Sequence, residues 1–107
     1  MGGFIFMGIM EEKLFELEEI IGINTYERGL NIYNIVDIDK SGVEKQHTIE
    51  LSKVDIDSGV IMFIDFNDEI IKCFLTESIE IITITYNPEL YKLIFKDGRQ
   101  TFIFPVK

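Results

Sequence analysis

The sequence predicts an α+β domain, in which an N-terminal amphipathic helix packs on an antiparallel meander of six or seven strands that curls toward a half-barrel. Three observations predict it. Apolar residues and acids recur with helical spacing near the N-terminus, and from Gly29 onward short runs of β-branched and aromatic residues alternate with turn residues. Twenty of the 107 residues are Ile and none is Ala or Trp, a vocabulary that favours strands and lacks the best helix former. The length suits one hydrophobic core, so residues 1–107 read as a single domain.

Residues 1–9 are apolar and carry three of the glycines, which suggests an extra edge strand or an unordered segment. The helix follows over residues 10–21. Met10, Leu14, Leu17 and Ile21 form an apolar stripe among Glu11, Glu12, Glu16, Glu18 and Glu19, with acids in the first turn where the helix dipole favours them and Gly22 as a stop. Packing on the domain's own sheet is the commoner use of such a stripe.

The sheet is expected within residues 30–104, as strands over 30–38, 44–51, 60–66, 70–76, 79–86, 90–96 and 99–104. Asp97-Gly98 suits a two-residue type I′ hairpin, with Gly98 at positive φ. In that register Lys96 faces Arg99. Tyr91, Leu93 and Phe95 then share an aromatic face with Phe102 and Phe104, and Lys92, Lys96 and Arg99 form a basic one. A second hairpin turns on Asn67 and Asp68, and because both faces of its strands are apolar they are expected to be central and covered on both sides. Pro88 suits a type I turn between Tyr86 and Leu90.

Cys73 lies in one of those strands and is expected to be a buried, inert thiol. A single cysteine forms no intrachain disulfide and suits a reducing compartment, so with no basic leader or membrane-length apolar run the expected location is cytoplasmic. The formal net charge is −9, which opposes binding to phosphate backbones and anionic membranes and points to a protein partner with a basic surface. Residues 90–107 run against this trend, setting Lys92, Lys96, Arg99 and Lys107 against Asp97 alone.

The segment Asp37-x-Asp39-x-Ser41-Gly42 begins like a calcium loop but places Thr48 where a bidentate Glu is needed. Its echo, Asp55-x-Asp57-Ser58-Gly59, has its Gly one place early. Both read as strand-to-turn junctions of similar geometry, so no metal or cofactor is expected. Asp65, Asp68 and Glu69 form a solvated acidic turn, and the lone His47 sits in a polar stretch. With no phosphate loop, metal-ligand spacing or catalytic triad, the chain reads as non-enzymatic.

The expected function is binding to another protein, as an inhibitor or decoy of the phage or mobile-element type (anti-CRISPR, anti-restriction or immunity-like). Ordered carboxylates would occupy the basic site of a nucleic-acid-handling partner. Asp37, Asp39, Asp55, Asp57, Asp65, Asp68 and Glu69 are the candidate contact residues. The alternatives are a ligand-binding or accessory domain with a pocket inside the curled sheet, lined by Phe63, Phe74, Tyr91 and Phe102, and a homodimeric or larger subunit held through an uncovered sheet edge or the helix stripe.

Overall fold

The computed structural model describes the backbone of residues 2–106 and the side chains of residues 10–106. One helix, α1 (Gly2–Tyr26), precedes eight antiparallel strands: β1 (Ile32–Ile38), β2 (Glu44–Glu50), β3 (Lys53–Asp57), β4 (Val60–Ile64), β5 (Ile70–Leu75), β6 (Ile79–Tyr86), β7 (Glu89–Phe95) and β8 (Gln100–Pro105). They form two sheets, ordered β2-β1-β8-β7-β6 and β3-β4-β5. The α+β class and the antiparallel pairing match the sequence reading. The half-barrel does not: neither sheet is curled or closed, because the chain leaves the large sheet after β2, builds β3 to β5 separately and returns with β6.

The helix is longer than residues 10–21 at both ends, and its backbone begins at Gly2, where an edge strand or no order was expected. Gly22 does not stop it. A glycine inside a helix costs about 1 kcal/mol, and burial of Ile21 on one side of it and the hydrogen bonds of Asn24 on the other offset that cost. The stop comes at Gly29, whose φ of +66° lets Leu30 N–H donate to the Asn24 carbonyl at 2.7 Å. Leu14, Leu17 and Ile21 are buried, as the apolar stripe requires, and the helix packs against β3 and β6.

A three-residue turn recurs at three of the hairpins. Gly42, Asp68 and Gly98 each adopt positive φ at its third position, and each donates its N–H to the carbonyl three residues back, at 3.0, 3.2 and 3.0 Å. Phe95 N–H donates to Arg99 O at 2.9 Å across the last of these loops, which places Lys92 opposite Phe102 and Ile94 opposite Gln100. Gly98 takes its expected conformation, but the extra loop residue shifts the register by one. Such a slip exchanges faces: Thr101 and Ile103 turn inward with Tyr91, Leu93 and Phe95, while Phe102 turns outward beside Lys92. The expected basic face is thereby split.

The type I′ loop occurs instead at Ser58-Gly59, both at positive φ, between paired Asp57 and Val60. The two Asp-rich echoes therefore make different turns. Asn87-Pro88 is cis, so β6 and β7 join through a type VI turn rather than type I.

The core lies between the inner face of the large sheet (Tyr33, Ile35, Ile82, Tyr91, Leu93, Phe95 and Ile103) and a second layer made of α1 and the small sheet (Val54, Ile61 and Phe63). In the small sheet β4 is central, but β5 is an edge strand. Cys73 and Leu75 stand exposed on its outer side, contrary to the expected burial, because only one face of this sheet meets another layer. Native Cys73 is accordingly predicted to react with a thiol reagent at a rate close to that of the unfolded chain. Labelling that stays slow until denaturant is added would contradict this placement.

Candidate functional site

The large sheet has a second face, and its composition is unusual for a solvent face. The registers align Glu44, Ile38, Gln100, Ile94 and Ile81 in one row, Gln46, Val36, Phe102, Lys92 and Thr83 in the next, and Thr48, Asn34, Phe104, Leu90 and Thr85 in a third. The central three strands thus present Val36, Ile38, Leu90, Ile94, Phe102 and Phe104 outward, each half-buried by its sheet neighbours rather than by another layer. Ile81 on the β6 edge is 48% exposed. No element among the described residues packs on this face. Its charges are few: Lys92, whose ammonium lies 5.5 Å from the Phe102 ring centroid, and Glu44 and Glu50 on the β2 edge. Contiguous apolar patches without a covering layer mark interaction sites more often than they remain bare.

The seven acids predicted as contacts do not form one surface. Asp37 turns inward from β1, its carboxylate accepting from Lys72 Nζ at 2.6 Å and Thr101 Oγ1 at 2.7 Å, with His47 Nε2 3.7 Å away. Asp39 accepts from the N–H groups of Ser41 and Val43 across its own turn, and Asp65 does the same for Asn67 and Glu69. This turn chemistry explains the resemblance to a calcium loop: the side-chain oxygens hold backbone N–H groups. Among the described residues no group of three or more His, Cys, Asp or Glu side chains is arranged to hold a metal ion. Asp55 and Asp57 lie on β3 opposite Met62 and Val60. Asp68 and Glu69 sit in the β4–β5 turn, at the other end of β4, roughly 14 Å away for a five-residue strand.

The residues expected to line an internal pocket are also dispersed. Phe63 and Tyr91 are fully buried, Phe102 is on the outer face, and Phe74 packs between the sheets, 4.9 Å from the Phe95 ring centroid. Beside Phe74 and Phe95 opens a cleft of about 270 Å³, rimmed by Asp37, Lys45, Lys72 and Arg99. Lys72 and Arg99 there are already paired, with Asp37 and Asp97.

One polar cluster was not legible in the sequence. Asn24 is buried at the end of α1, and the two N–H groups of its Nδ2 are shared among Tyr33 OH at 3.0 Å, Tyr91 OH at 3.0 Å and Glu89 Oε2 at 2.8 Å. Arg28 bridges Asn24 Oδ1 and Glu89 Oε1 at 2.8 and 2.9 Å, and Tyr91 OH donates to Glu89. Burial opposes ionisation of Glu89, but hydrogen bonds from Tyr91, Asn24 and Arg28 outweigh it and hold the carboxyl below its usual range. Burial pushes Tyr33 and Tyr91 up, and the neighbouring Glu89 adds to both. The cluster is fully hydrogen-bonded and ties α1, β1 and β7 together. A neutral Asn at helical spacing from Ile21 is its only signal in the sequence, and that signal resembles an ordinary cap residue.

No protein-family model matches the chain, and no curated protein or solved structure does either. None of the helices of the described residues is long and apolar enough to cross a membrane.

The tyrosines supply a pH test. Their folded pKa values lie above the unfolded value of about 10, so the stability they contribute is complete below that pH and is lost as pH rises toward the folded values. Absorbance near 295 nm should show Tyr33 and Tyr91 ionising only as the far-UV circular dichroism collapses. Ionisation of Tyr33 and Tyr91 near pH 10 with the fold intact would contradict the cluster.

Proposed function

We propose that the chain is a non-enzymatic interaction protein that works by binding protein, and that the outer face of the large sheet is its contact surface. The observation that carries this reading is the uncovered apolar centre of that sheet, Val36, Ile94, Phe102 and Phe104, set behind an inner face whose central side chains, Tyr33, Ile35, Tyr91, Leu93 and Ile103, are buried under a second layer. Aromatic and aliphatic side chains held rigidly on strands make contact at small entropic cost, since their rotamers are already restricted by sheet neighbours. The net charge of −9 supports a second reading, the acidic decoy, in which Asp57, Asp68 and Glu69 meet a basic partner. It ranks below the first because Asp37, Asp39 and Asp65 are engaged within the chain and the remainder lie at separate ends of the small sheet.

Site-specific photo-crosslinking in cells separates the two. A benzoylphenylalanine placed at Phe102 or Ile94 is expected to yield a protein adduct, and one placed at Asp57 or Asp68 is not. Adducts from Asp57 and Asp68 with none from Phe102 or Ile94 would reverse the order of the readings.

A further inference from the structure

We infer that the occupant of the outer face is a second copy of this chain, docked sheet against sheet about a two-fold axis. This rests on the reading of that face as a contact surface and adds the identity of the partner. Size is the first argument. The four strands that overlap, β2, β1, β8 and β7, at about 4.8 Å spacing and with three outward rows of side chains, span a footprint of roughly 400 Å². That is below the roughly 800 Å² per partner of a standard interface, so the dimer is a weak one whose population depends on concentration. A strand or single helix laid on the sheet would leave much of it bare, whereas an equal sheet packed about 10 Å away covers all of it but β6.

Charge is the second argument. Two chains of net charge −9 repel over most of their surfaces, and the outer face is where few charges oppose approach. The charges it does carry are of both signs and lie on opposite sides of its centre, Lys92 on β7 and Glu44 on β2. A two-fold axis parallel to the strands, between β1 and β8, sets Val36 of each copy over Phe102 of the other. The same operation brings β7 of each copy over β2 of the other, so that Lys92 reaches Glu44 and Gln46 on both sides of the axis. An isologous contact needs this self-complementarity, and a face carrying one sign of charge would lack it.

Sedimentation equilibrium of the purified chain is expected to give a dimer of the 12.4 kDa protomer. The double variant Val36→Glu, Phe102→Glu should raise the dissociation constant by about 100-fold or more, with its far-UV spectrum unchanged. Asp57→Asn with Asp68→Asn should leave the dimer intact. Should the glutamate variant fail to fold, purified protein with the photo-crosslinker at Ile94 decides the matter, an adduct of twice the chain mass being the expected product. A purified chain that stays monomeric and gives no such adduct overturns the inference. In that case an adduct from Phe102 in cells to a different protein leaves the contact-surface reading standing, and its absence removes both.

Discussion

A sheet has two faces, and the described residues provide a covering layer for only one face of the larger sheet. The helix and the three-stranded sheet together pack on the inner side, where Tyr33, Ile35, Tyr91, Leu93 and Ile103 are excluded from water. The alternation of strands then fixes the other side chains outward. Had those been Glu, Gln and Thr throughout, as on β2, the domain would be an ordinary sheet with one wet face. They are instead Val36, Ile38, Ile94, Phe102 and Phe104 along the three central strands. The architecture and the proposed function both follow from that imbalance.

The covered side is held in register by polar as well as apolar contacts. Asn24, Arg28 and Glu89 draw the end of the helix onto the hydroxyls of Tyr33 and Tyr91, so the helix cannot slide along the sheet without leaving buried donors and acceptors unpaired. Each such orphan costs about 1–3 kcal/mol. Asp37 plays the corresponding part between the sheets, tying Lys72 of β5 to Thr101 of β8. These polar ties act beside the Phe63, Phe74 and Phe95 rings packed between the sheets to keep one arrangement.

Much of the fold was legible in the sequence, and the failures have physical causes. The helix stripe and seven of the eight strands are visible because periodicity reports which side chains share a face. β3 was hidden because Asp55 and Asp57, on its outward positions, read as turn residues. Register was misjudged where Asp97-Gly98 suits both a two-residue and a three-residue loop, and that single residue decides whether Phe102 belongs to the core or to the surface. The burial of Cys73 was misjudged because an apolar strand looks the same at the centre of a sheet and at its edge. The candidate surface was hidden for the same reason: alternation identifies two faces of a strand and leaves open which of them a second layer covers. The acids were conspicuous in the sequence, yet Asp39 and Asp65 serve their own turns.

The central claim is that the outer face is not a solvent face. The isoleucine methyl groups report on it directly, since Ile38 and Ile94 lie on the outer side and Ile35 and Ile103 on the inner side of the same strands or their neighbours. With a soluble paramagnetic agent and methyl-labelled protein, the methyls of Ile38 and Ile94 should be shielded nearly as well as those of Ile35 and Ile103 at high protein concentration, and should become accessible on dilution. Ile38 and Ile94 methyls that stay open to the agent at every concentration, and also in the presence of cell extract, would contradict the account.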